Sequence, residues 1–129
     1  MMREILFRGK KITSGEWVVG NYNQNMLNRG FDTIEDTENF PYLYYGVDHK
    51  TVSQYTGMKD KNSKRIFEGD IFLCDNKYPY EVAWCDERKG FFAMATDFSD
   101  DDLLGNFFES SIEVIGNIHD NPELLEVEE

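Results

Sequence analysis

Apolar side chains recur at every second position along most of this chain, as where Tyr80, Val82 and Trp84 alternate with Glu81 and Ala83. A period of two places successive side chains on opposite faces of a strand, so the pattern predicts half-buried β-strands. Valine, isoleucine and aromatic residues are frequent in these stretches, which favours the same assignment. The predicted strands lie around residues 5–8 and at 16–22, 31–34, 42–47, 51–55, 64–67, 71–74, 80–85, 91–95 and 112–118.

Two short helices are also predicted. The first covers residues 100–108, where Ser99 would cap the first turn and the acidic residues of that turn suit the helix dipole. The second covers residues 121–125, with Asn121 as the N-cap and Pro122 at the first helical position.

Polar segments between the strands predict tight turns. In the segment 60–63, Asp60 and Asn62 can bond to their own backbone, and Asn62 is expected to adopt the left-handed conformation. In the segment 86–90, Gly90 is expected at the position that needs a positive φ.

The triplet Glu68-Gly69-Asp70 is expected to start a strand, because Gly69 permits a bend and Asp70 can accept backbone N–H groups. The alternative is a catalytic pair formed by the two carboxylates. No partner base or nucleophile accompanies this pair, so the structural role is favoured.

The 129 residues fit one domain, or one small domain with an appendage, and they carry a net charge of −12. Residues 1–65 hold ten Lys/Arg and eight Asp/Glu, whereas residues 66–129 hold three and seventeen. The acidic second half argues against non-specific affinity for nucleic acid or for an anionic membrane, because both are negatively charged and repel it. A solvated acidic surface is the favoured interpretation, and an acidic interaction face that mimics nucleic acid is the alternative.

Two cysteines, Cys74 and Cys85, lie in alternating apolar segments and outside any CxxC pair. They are expected to be buried free thiols of a reducing compartment, although the sequence leaves open whether they lie near each other. No stretch is long and apolar enough for a signal peptide or a membrane span, so we expect a cytoplasmic protein.

A series of motifs resembles the YopX-like family of small phage and prophage proteins. The hallmark Q-Y-T-G-x-K-D-x-N-x-x-x-I-x-E-G-D-I matches residues 54–71, and R-x-I-x-F-R and W-x-x-G elements precede it at 3–8 and 17–20. The segment E-V-I-G-N-I…N-P-E-L-L closes the match at 113–125, while Ser63 stands where the family usually has Gly. The signature residues expected to have structural roles are Gly57, Asp60, Asn62, Glu68, Gly69, Asp70 and Trp84.

The resemblance implies a phage or prophage accessory protein without an established biochemical activity, and a C-terminal SH3-like small β-barrel. Five or so short strands between residues 51 and 119 agree with such a barrel. We therefore expect a mainly β fold with short helical pieces. A β-rich segment at 1–50 would precede an SH3-like domain at 51–129, unless 1–129 is a single YopX-like domain.

Metal and cofactor motifs are weak in this chain. Asp97, Ser99 and Asp101 have the spacing of calcium ligands, but Asp102 stands where an EF-hand loop needs Gly. The two histidines and two cysteines match no zinc pattern, and no glycine-rich phosphate loop is present. The sequence therefore predicts no metal and no cofactor.

The candidate binding residues are one basic cluster beside an aromatic ring: Tyr55, Lys59, Lys61, Lys64 and Arg65. Such a cluster can bind an oligonucleotide, or it can simply be a solvated hairpin tip. The aromatic pairs at 44–45, 91–92 and 107–108 place one ring on each face of a strand, so one ring of each could form an interface. The leading prediction is a non-enzymatic protein that contacts another protein or a second copy of itself, with nucleic-acid binding and acidic mimicry as alternatives.

Overall fold

A computed structural model of the protein describes residues 4–24, 30–95 and 101–126. The fold is mainly β, as predicted, and its strands form two antiparallel sheets. The strands are β1 Phe7–Lys10, β2 Trp17–Asn23, β3 Asp32–Asp36, β4 Tyr44–Val47, β5 Ser53–Lys59, β6 Arg65–Phe67, β7 Asp70–Cys74, β8 Pro79–Cys85, β9 Gly90–Ala95, β10 Asp101–Leu103 and β11 Ile112–Asn117. Four short 3₁₀ helices accompany them: η1 His49–Thr51, η2 Leu104–Asn106, η3 Glu109–Ser111 and η4 Pro122–Leu125.

The chain divides into two compact units, Met1–Tyr55 and Thr56–Glu129. In the first unit the strands lie in the order β4-β3-β2-β1, followed by the start of β5. Its core contains Val18, Ile34 and Val47, which are almost fully buried. The segment after β1 also runs along β4, since Lys11 pairs with Val47 and the Ile12 N–H donates to the Gly46 carbonyl at 2.9 Å.

The second unit contains a five-stranded sheet in the order β10-β9-β8-β7-β11 and the hairpin formed by the end of β5 and β6. Its core combines residues from five strands and one 3₁₀ helix: Ile66, Phe72, Val82, Ala93, Leu104 and Ile112. Within the described residues these strands form no closed barrel, so the expected SH3-like barrel is not confirmed.

One predicted helix is wrong. Instead of a helix at 100–108, residues 101–103 form β10, which pairs antiparallel with β9, and only Leu104–Asn106 turn in a 3₁₀ helix. Pairing with β9 prevails over helix propensity because Leu103 lies opposite Phe92 and Leu104 is buried in the core. The proposed cap Ser99 lies outside the described residues, as does Asp97 of the calcium pattern. The helix predicted at 121–125 is confirmed as the 3₁₀ helix Pro122–Leu125.

Three local predictions also differ from the structure. The left-handed residue of the 60–63 turn is Ser63, at φ 65°, and not Asn62. In the hairpin at 86–90 the positive φ falls on Lys89, at 54°, and not on Gly90. The strand predicted at 42–47 begins at Tyr44, because Tyr42 adopts φ 59°, which an extended strand cannot contain.

The two cysteines are free thiols, but both are half-buried and not buried as expected. Burial, together with the nearby Asp75 carboxylate, raises the pKa of the Cys74 thiol. Cys85 differs, because a hydrogen bond from the Arg88 guanidinium lowers the pKa of its thiol. No helix in the described parts of the chain is long and apolar enough to cross a membrane.

Candidate interaction surface

The basic hairpin predicted to bind a ligand is only partly available. Tyr55 is 5% exposed, so its ring is not on the surface where a base could stack. The Lys61 ammonium lies 2.8 Å from a carboxylate oxygen of Glu113, and the Lys59 backbone N–H donates to Glu109 at 2.8 Å. Glu113 thus neutralises the charge of Lys61, whereas Lys64 is exposed and Arg65 is half-buried.

Asp60, a residue of the hallmark motif, is buried in the hairpin turn. One carboxylate oxygen accepts the backbone N–H groups of Asn62 and Lys64, both at 2.9 Å. The other oxygen accepts the Val114 N–H at 3.0 Å, which connects the turn to β11. Asp60 therefore holds two distant segments of the second unit together through three backbone hydrogen bonds.

The Glu68-Gly69-Asp70 triplet also has structural contacts. The Asp70 carboxylate is almost fully buried and accepts the Phe67 N–H at 2.8 Å. Gly69 has φ 89°, donates its N–H to the Val82 carbonyl at 2.8 Å and accepts the Ile118 N–H at 2.9 Å. These contacts explain why a glycine stands between the two acids.

Glu68 lies near a carboxylate that sequence analysis missed, that of Glu81 on β8. Burial raises the pKa of Glu68, partly offset by a hydrogen bond from the Trp84 N–H. Burial and the charge of Glu68 raise the pKa of Glu81. Only the pairing of β7 with β8 brings the two residues together, so no local sequence signal indicates this pair. Within the described residues, no group of three or more His, Cys, Asp or Glu side chains could hold a metal ion.

Among the residues that the structure describes, the longest run of exposed apolar side chains lies in the loop between β3 and β4. Phe40 is 83% exposed and Tyr44 is 64% exposed, and Tyr42 and Leu43 between them are each about half exposed. The rings of Phe40 and Tyr42 meet edge to face, with their centroids 5.5 Å apart. We call residues 40–44 the apolar loop. The run F-P-Y-L-Y, which does not alternate with polar residues, is the sequence signal that could have revealed it.

Hydrogen bonds to Asp36 hold the base of the apolar loop. The Asp36 carboxylate accepts the backbone N–H groups of Glu38 at 2.8 Å and Asn39 at 3.0 Å, and the Asn39 side-chain amide at 3.1 Å. Burial alone would raise the pKa of Asp36, but the hydrogen bonds from Asn39 and Glu38 lower it below its usual value. The Tyr42 N–H donates to the Asn39 carbonyl at 2.9 Å, so the loop has a defined backbone.

A cleft of about 580 Å³ opens at the opposite end of the β3–β4 hairpin. Its apolar part is formed by Ile12 and Phe31, which lie over Gly46 so closely that a Cβ there would be 3.0 Å from the Phe31 ring. The remaining lining includes two lysines, one histidine and two aspartates: Lys10, Lys11, His49, Asp32 and Asp48.

Both aspartates of the cleft already accept hydrogen bonds. Asp32 accepts the Tyr22 hydroxyl at 2.6 Å, and burial together with this bond raises the pKa of Tyr22 to about 12. Asp48 accepts the Lys50 backbone N–H at 3.1 Å at the start of η1.

The fold and the surface together define a class of protein. It is a small, mainly β protein whose motif residues stabilise turns through hydrogen bonds and whose surface exposes an apolar loop. The chain belongs to the YopX family, since the family model described as "YopX protein" matches residues 6–126. Among solved structures, the chain is similar to the crystal structure of protein EF1440 from Enterococcus faecalis. The two chains are 28% identical with a TM-score of 0.62, over 97% of this chain and 100% of that one. A search of the curated proteins finds no match.

Proposed function

We propose that this protein is a non-enzymatic accessory protein of a phage or prophage, active in the cytoplasm, and that it works by binding another protein through the apolar loop. Family membership supports the biological context, which is carried over from the sequence resemblance. The exposed apolar loop is the observation that supports the mode of action. We also propose that the second unit is an SH3-like variant in which the β5–β6 hairpin covers the core of the five-stranded sheet.

The apolar loop exposes a large area of aromatic surface to solvent. The three exposed rings present about 400 Å² of aromatic surface, taking ~200 Å² for each fully exposed ring. The largest apolar patch on a monomeric protein is typically of about this size and is often an interaction site. Because Asp36 holds the loop in place, little conformational entropy is lost when a partner covers it.

Nucleic-acid binding through the basic hairpin has less support. Stacking needs an exposed ring, and Tyr55 is buried. Lys61 is already paired with Glu113, and the net charge of −12 repels phosphate. Acidic mimicry would need unpaired carboxylates clustered on one face, whereas Glu113 and Glu109 contact the hairpin of their own chain.

Capture experiments with the purified full chain as bait test the proposal. Partners from a lysate of host cells carrying the phage would be quantified for the wild type, for Phe40→Ser and for the control Phe108→Ser. Phe108 is 78% exposed, so the two substitutions remove rings of similar exposure. We expect recovery of a specific partner to fall about 30-fold with Phe40→Ser, the loss of one binding hot spot, and to stay unchanged with Phe108→Ser. Equal recovery with both variants contradicts the proposal.

A further inference from the structure

We draw no further inference here: the strongest candidate, the side-chain cluster of Cys85, Arg88 and Asp101 between the β8–β9 hairpin and β10, rests on a lone cysteine and on hydrogen bonds within the cluster itself, and no observation in the described part of the chain points to a ligand for it.

Discussion

Replacing Asp60 by alanine tests whether the hallmark motif of this family serves the fold or a ligand. The side chain is 5% exposed and accepts three backbone N–H groups, those of Asn62, Lys64 and Val114. Asp60→Ala removes all three bonds, two of them from donors in the turn and one from a donor in β11.

The magnitude follows from the three contacts. A hydrogen bond to a charged acceptor contributes about 1.5–3 kcal/mol. The donors of Asn62 and Lys64 belong to exposed turn residues and can bind water after the substitution, so their loss lies at the lower end. The Val114 donor is in a strand, where water reaches it less easily. We therefore expect a loss of about 4.5–6 kcal/mol, a large part of the 5–15 kcal/mol that usually stabilises a domain.

Urea unfolding followed by circular dichroism measures this loss. With a slope of about 2 kcal/mol per molar urea, within the usual range of about 1–3, the midpoint should fall by about 2–3 M. Asp86→Ala is the control, because the Asp86 side chain is 86% exposed in a hairpin loop, and it should change stability by less than about 0.5 kcal/mol. The urea midpoint of Asp60→Asn should lie between those of Asp60→Ala and Asp86→Ala. The amide oxygen can still accept a hydrogen bond, but the amide NH₂ group faces backbone N–H groups, which are donors themselves.

A midpoint for Asp60→Ala equal to that of Asp86→Ala would refute the structural role. The three hydrogen bonds would then contribute nothing to stability, and the presence of Asp60 in the motif would need a binding explanation. A matching loss would assign the motif to the fold and leave the apolar loop as the surface to explore.

The remaining predictions concern titratable groups. Burial and the charge of Glu68 raise the pKa of Glu81 in the folded protein. The contribution of Glu81 to stability is therefore fully present below about pH 4.5 and is lost as the pH rises through the folded-state pKa. Glu81→Gln removes this loss, so its urea midpoint relative to wild type should be higher at pH 7 than at pH 4, and an equal difference at both pH values contradicts a raised pKa of Glu81. Cys85 should react with iodoacetamide faster than Cys74 at pH 7.5, because the hydrogen bond from Arg88 lowers the pKa of Cys85 while burial raises that of Cys74. Arg88→Ala should abolish most of the difference, and unchanged rates would exclude this cause.

The parts of the fold that depend on neighbouring residues could be predicted from the sequence. The alternation of Tyr80, Val82 and Trp84 indicates β8, and Asn121-Pro122 marks the start of η4. The predictions failed where a contact with another strand decides the secondary structure. At β10, an acidic segment that was predicted to be helical forms an edge strand because it pairs with β9.

Surface and charge show the same division. The prediction that one ring of an aromatic pair could be exposed holds for Phe108 and Tyr44, whose neighbours are half-buried and packed against the cores, although residues 107–108 lie outside the strands. The pair 91–92 has no exposed ring. Phe92 is buried with the Arg88 guanidinium 3.7 Å over its ring, and Phe91 is half-buried against Trp84, contacts that the local sequence did not indicate.

By itself, the sequence determined the mainly β class, the family and most strand positions, because these follow from side-chain periodicity and from motif order. Only the tertiary structure decided that Tyr55 is buried, that Glu68 lies near Glu81 and that a cleft lies at the other end of the β3–β4 hairpin from the apolar loop. The physical reason is that exposure and the proximity of side chains depend on which strands pair and in which register. Those pairings join residues far apart in the chain, and no local pattern encodes them.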